Sequence, residues 1–209
     1  MLQEFWNFFG RAICHQIKDR SLQLSGTTLS VCARDTGIYI GIFSSLMYLH
    51  LYKRKRSITI PTIKVSFFLL LWMVPLIIDG FGSYAQLFNS SNSRRLLTGL
   101  CFGLVLPYFV YPLVQGKSLS QKSEPVVTHW KDILIPSFTC IILGLLTYYG
   151  ALPYAFLDSL IIMTVITWFS LCAFCLLGQI HEKRQKSYLS ISLSLMFLTF
   201  LSFLHNALL

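Results

Sequence analysis

Long apolar runs recur along this chain so closely that no soluble domain fits between them. Crossing a hydrocarbon core takes roughly 20 helical residues, and apolar runs of about that reach occupy 36–52, 60–79, 96–114, 133–150, 154–179 and 188–207. In lipid the backbone must satisfy its own hydrogen bonds, so such runs are helices. The expected fold class is all-α: a polytopic integral membrane helical bundle with about six transmembrane helices. A composition 55% hydrophobic and only 12% charged agrees, as does a mean hydropathy of +0.64, since ordinary soluble domains are far more polar.

Leu2, Phe5, Trp6, Phe9 and Ile13 recur at helical spacing opposite Gln3, Glu4, Asn7 and Arg11, so 2–13 is expected to form an interfacial amphipathic helix. The first residues lack a basic leader and a small-residue cleavage site, so no signal peptide is expected to be removed. A polar stretch, 14–35, follows, with turn signals at Gly26, Thr27 and Thr28. The formal charge of +9 sits in short clusters between apolar runs. That is the pattern of the positive-inside rule, and no nucleic-acid partner is expected. Placing Lys53, Arg54, Lys55 and Arg56 in the cytoplasm also puts Lys64, Lys117, Lys122, Lys131, Lys183, Arg184 and Lys186 there. Arg11, Lys18, Arg20, Arg34, Arg94 and Arg95 remain outside, with both termini. The expected location is the cell membrane, multi-pass, with a first half at 1–114, a cytoplasmic linker at 115–132 and three further spans at 133–209.

Pro75 is expected to kink or unwind the second span and to leave Asp79, Gly80, Phe81 and Gly82 at a helix end. An acid inside a membrane is costly and implies a partner; for Asp79 the candidates are Arg34 and Arg95. Four cysteines, Cys101, Cys140, Cys172 and Cys175, lie in apolar segments as small hydrophobes, the last two in a CxxC spacing that a membrane helix makes a weak redox motif. Cys14 and Cys32 lie in polar surroundings. With His15 and Asp35 they supply two thiols, an imidazole and a carboxylate, donor types suited to zinc or another divalent metal. A Cys14–Cys32 disulfide and ordinary packed thiols are the alternatives.

Cys14-His15-Gln16, Arg20-Ser21, Cys32-Ala33-Arg34 and Thr36-Gly37-Ile38-Tyr39-Ile40-Gly41 together resemble the signature of a small family of prokaryotic membrane proteins, domain of unknown function 2085. Asp79-Gly80, Gln86, Asn92, Arg95 and Thr98-Gly99 are similar to that family's second half, so the resemblance covers about residues 10–110. It implies a membrane protein and transfers no activity. The family pattern has Cys-Ala-Arg-Cys at the second cysteine site, where this chain has Cys32-Ala33-Arg34-Asp35, so a four-ligand metal reading loses one thiolate here.

Alternating spans bring Asp158 and His205 to the same outer face as the motif. The expected site is a polar outer vestibule with His15, Asp79 and Arg34 as catalytic candidates. Arg94, Arg95, Gln86, Asp158 and His205 are the candidates for binding substrate, and Cys14, His15, Cys32 and Asp35 for a metal. The first functional expectation is a membrane-embedded enzyme acting on a lipid or polyprenyl-linked substrate, with membrane lipid and a phospholipid substrate as partners, because guanidinium forks match phosphate oxygens. A transporter or lipid flippase using Asp79 at a broken helix is the second, and a structural or assembly subunit the third.

Overall fold

The computed structural model describes residues 2–24, 26–115, 123–178 and 182–208. Lys117 and Lys122 of the expected linker and His181 of the expected basic loop lie outside the described residues.

Two helices pressed together without side chains between them organise the fold. In α2 (Ala33–Tyr48) Gly37 and Gly41 lie one turn apart, and in α5 (Asn92–Gln115) Gly99 and Gly103 repeat the spacing. The pairs face each other: a Cβ on Gly41 would stand 2.6 Å from the Leu104 backbone nitrogen, and one on Gly103 would collide with the Ile38 carbonyl. Lipid tails offer no hydrophobic drive between helices, so small residues that admit close backbones are how membrane helices associate tightly. The Ser45 hydroxyl bonds across this seam to the Leu104 carbonyl at 2.7 Å.

At 16 residues α2 is short for a span, but a π-helical turn, Leu49–Lys53, continues it. At about 1.5 Å per residue the combined segment reaches roughly 31 Å, enough to cross. Five further segments are long and apolar enough to span: α3 and α4 together (Ile63–Tyr84), α5, α6 (Lys131–Tyr148), α7 (Tyr154–Leu176) and α8 over Arg184–Ala207 of its full Lys183–Leu208. The chain is thus an all-α membrane bundle. The inner helix α5 is 56% buried over its apolar window, whereas Ile63–Tyr84 is 17% and the α8 window 22%, so these last two present most of their surface to lipid.

The break in the second span differs from the one expected. α3 (Ile63–Leu71) stops at Trp72 and Met73, and α4 (Val74–Tyr84) begins there with Pro75 in its first turn. A proline disturbs the turn before it, where its missing N–H and its ring act. Asp79, Gly80, Phe81 and Gly82 therefore lie inside an intact helix and not at an end.

The polar segment is also more ordered than expected. β1 (Ser21–Leu24) and β2 (Thr27–Cys32) form an antiparallel hairpin that turns at Gly26, in left-handed conformation at φ 79°. α1 (Leu2–Arg11) lies over this hairpin and against α7 and α8, with Trp6 edge-on to Tyr154 and Phe8 edge-on to Phe203. The hairpin, α1, the end of α4, the starts of α5 and α7 and the end of α8 make one pole, the motif end. The opposite pole, the basic end, carries the π turn and a short parallel pair of β3 (Ile58–Thr59) with β4 (Glu124–Pro125).

Candidate functional site

Cys14, His15 and Gln16 follow α1 without regular structure. Gln16 adopts a left-handed backbone, φ 53°, uncommon outside glycine. Its amide donates to the Asn7 and Ser30 carbonyls, both at 2.9 Å. These two bonds pin α1 to β2, with Cys14 turned inward and His15 exposed. The Cys32 backbone N–H donates to Cys14 Sγ at 3.2 Å, and the Cys32 thiol donates to Asp35 Oδ2 at 3.2 Å. The donor atoms of Cys14, Cys32 and Asp35 all lie within 4.8 Å of one another.

Both thiols are free, so the alternative of a disulfide staple is not realised. The hydrogen bond between the side chains pushes the Cys14 thiol well above the ordinary value and draws the Cys32 thiol below it. Cys32 is therefore the sulfur that ionises first, and the thiolate is the metal ligand and nucleophile. His15 is not part of the group: its ring packs edge-on against His205, centroids 5.2 Å apart. Zinc takes sulfur at about 2.3 Å and carboxylate oxygen at about 2.0–2.2 Å, so tetrahedral ligands sit somewhat closer together than 4.8 Å; catalytic sites commonly use three protein ligands and keep one position open. The donor set of two sulfurs and one oxygen fits that pattern after a small contraction.

Asp79 is buried on α4, and the pairing expected of an intramembrane acid is present. Arg34 Nη2 donates to Oδ2 and Ser90 Oγ to Oδ1, both at 2.6 Å. Arg94 stands 3.8 Å from Oδ1, its guanidinium lying over the Phe88 ring. Arg95, the other expected partner, instead donates to the Asn92 side chain at 3.3 Å. The glycine seam explains the geometry, because Gly99 packs against the Arg34 carbonyl and so brings the first turns of α2 and α5 together.

Arg34 and Arg95 reach the wall of a polar cavity of about 850 Å³, which Arg20, Asp19, Gln86 and Asn89 also line. Arg20 and Arg34 are near enough to Arg95 to act on it as like charges. Arg34 Nε is buried without a hydrogen-bond partner, and among the described residues neither Arg20 nor Arg95 meets a carboxylate in a salt bridge. Positive charge is in excess here. Arg20, Asp19 and Asn89 are additions to the expected site; the signal for Arg20 was its place inside the motif.

The expected vestibule divides in two, because α7 and α8 contribute nothing to this cavity. Asp158 is 1% exposed and accepts from the Ser30 N–H at 3.1 Å and hydroxyl at 2.8 Å, which clamps α7 to β2. His205 stays with His15, and Arg11 bonds Asn206 at 3.0 Å.

A family model of predicted membrane proteins, DUF2085, matches residues 14–109. An uncharacterized protein of Methanothermobacter thermautotrophicus is 36% identical over 96 residues, covering 46% of this chain and 82% of the relative. The chain belongs to the DUF2085 family. An uncharacterized protein of Methanocaldococcus jannaschii is 28% identical over 116 residues, 52% of this chain and 72% of the relative. No solved structure matches. Every residue lining the cavity and all three clustered donors fall inside the DUF2085 match, whereas α6, α7 and α8 lie beyond it.

Proposed function

We propose that the motif end is the site of a membrane-embedded enzyme that binds the phosphate of a lipid or polyprenyl-linked substrate. The observation that carries this is the cavity wall of Arg20, Arg34 and Arg95, which holds more guanidinium than the nearby carboxylates neutralise. Guanidinium forks take phosphate oxygens in pairs, and in a partly desolvated cavity such bonds are strong. Arg34, oriented by Asp79, and Arg95 hold the phosphate; Gln86 lies on the same wall, and Arg94 stands 3.8 Å from the Asp79 carboxylate. Cys14, Cys32 and Asp35, contiguous with Arg34, are the seat for zinc or another divalent metal, which when bound would polarise an oxygen as a Lewis acid or activate water. Asp79 is committed to Arg34 and Ser90, so it acts by positioning the guanidinium. In this reading the motif end faces outward, since the basic end carries most of the loop cations.

A transporter is the second reading, and one observation favours it: a second buried ion pair, Lys53–Asp132 at 2.9 Å, lies at the basic end. Against it, α4 is unbroken at Asp79, and Asp132 is fully bonded. The test is binding, followed by phosphate release, of a lipid phosphate monoester in detergent micelles, with the same lipid lacking phosphate as control. Retention of the phosphorylated lipid alone, lost in R20Q and R95Q, supports the site. Equal binding of both lipids overturns it.

A further inference from the structure

Away from the motif end, a cavity of about 470 Å³ opens between α2, α5 and α7 toward the basic end. Its volume falls in the usual range of ligand pockets, about 300–1,000 Å³. The walls are Phe43, Leu46, Met47, Leu160 and Met163, with Thr164 and Thr167 among them. The two threonine hydroxyls are already spent on carbonyls of their own helix, of Leu160 and Met163, at 2.7 Å each. What polarity remains lies at one place: His50 and Tyr111, where Tyr111 OH and His50 Nδ1 are 3.4 Å apart. The π-helical turn begins one residue before His50, so the wider turn sets where this histidine emerges; single π turns frequently mark functional positions.

Just beyond this polar rim the exposed run 54–56 is wholly cationic. Lys53 is buried and consumed by Asp132, but Arg54, Lys55 and Arg56 are exposed and pair with no carboxylate among the described residues. Arg54 is close enough to the Tyr111 hydroxyl for its charge to act there. Gln115 ties the turn down, its amide donating to the Lys53 and Arg54 carbonyls at 3.3 Å. A groove that is apolar along its length, polar at one end and cationic past that end matches an amphiphile in a single orientation.

We propose that this groove binds one anionic phospholipid, an acyl chain lying between α2, α5 and α7 and the phosphate group at His50 and Arg54 beside Lys55 and Arg56. This site is separate from the motif-end cavity: it draws on α7, which lies outside the family match, and shares no residue with that cavity. A membrane surface attracts such a cluster through its anionic lipids, each cation contributing about fivefold in affinity.

The test is native mass spectrometry of the full chain in mild detergent, titrated with phosphatidylglycerol or with phosphatidylcholine of the same acyl chains. It is run in an R20Q/R95Q background so that the motif-end cavity does not contribute. Two variants address the two halves of the proposal. R54Q/K55Q/R56Q removes the exposed charge, and T167W fills the groove from an exposed wall position without entering the core. The expected result is one phosphatidylglycerol retained over phosphatidylcholine, the preference falling at least tenfold in the triple variant and the bound lipid lost in T167W. L189W, on the lipid-exposed face of α8, serves as control and keeps the lipid. Equal retention of the two lipids, unchanged binding in T167W, or a dimer that T167W dissociates each overturns the proposal. Monomeric mass and an unchanged melting temperature in T167W certify the fold.

Discussion

A buried carboxylate faces a cation at each end of the bundle, and the two pairs differ in what is left unbonded around them. At the basic end Asp132 accepts from Lys53, from Tyr48 at 2.7 Å, from the Thr128 N–H and hydroxyl, and from the His129 N–H, while the Tyr108 hydroxyl bonds its carbonyl. Both charged side chains there are 5% exposed. At the motif end Asp79 is 2% exposed, but Arg34 is 25% exposed, keeps an unbonded Nε and opens onto a cavity with two further arginines. A saturated pair is a lock, since nothing remains to recognise a ligand. A pair with surplus donors is a site, and burial of the acid serves to aim the guanidinium.

The largest effects should come from the lock. Asp132→Asn leaves the Lys53 ammonium buried without its counter-charge, a loss of about 3–5 kcal/mol by analogy with broken buried pairs. It should lower the melting temperature in detergent sharply while leaving phosphate binding at the motif end intact in whatever fraction folds. Asp79→Asn should cost less, about 1–2 kcal/mol, because Arg34 keeps access to water, yet it should weaken phosphate binding by freeing the guanidinium from its aim. If unfolding measurements ranked the two the other way, or if Asp79→Asn bound phosphate as wild type does, the division into lock and site would collapse.

Next in size is the surplus itself. Arg95→Gln should reduce affinity for a lipid phosphate roughly ten- to a hundredfold, the loss of a charge-assisted bond. Arg20 is exposed, so its replacement should change stability by no more than about 0.5 kcal/mol. Calorimetric titration beside a melting curve separates the two readouts. Gly99→Val probes the same distance differently: a branched side chain against the Arg34 carbonyl should cost about 1–3 kcal/mol and move Arg34 away from Arg95, so affinity and stability should fall together. Loss of stability with full affinity would mean that the arginines do not act as a set.

These two ends were unequally legible in the sequence. The spans were plain, because lipid leaves helices little alternative and apolar runs mark them. Asp79 stood out for the same reason: an acid near the end of an apolar run, still within the membrane, demands a partner, and Arg34 was one of two candidates. Asp132 did not stand out, since it lies beside Lys131 at a span boundary, where an acid looks like an ordinary solvated residue at a helix start. Lys53 was hidden in a run of four cations that the topology rule treats as loop, and only tertiary packing singles out the first of them. The hairpin escaped notice because Ser21–Leu24 is four residues long and a strand needs its partner to be recognised, although the Gly26 turn was visible. The four-residue spacings Gly37 to Gly41 and Gly99 to Gly103 went unread, because nothing within one helix says that its small residues face those of another.

The smallest effect lies at the thiols, where the motif end should again differ from a finished lock by remaining reactive. Alkylation follows the thiolate, ordinarily formed near pH 8.5. The Cys32 thiol is drawn below its usual range by the bond from Cys14, so its modification by iodoacetamide should begin at lower pH than that of a free thiol. Cys14, pushed upward by the same bond and by burial, should stay inert across that window. A group whose folded-state value is depressed adds stability above its unfolded value and loses it as pH falls through the folded one, so the Cys32 contribution should fade on acidification. Cys14→Ala removes the donor and should move the Cys32 profile back toward ordinary thiols, whereas Cys101→Ala, in α5, should not. If zinc occupies the cluster, about one equivalent bound per chain should protect Cys32 from the reagent, and both Cys14→Ser and Cys32→Ser should abolish the metal in elemental analysis. A Cys32 profile indifferent to Cys14→Ala and to zinc would make the pair packed thiols and confine the site to its arginines.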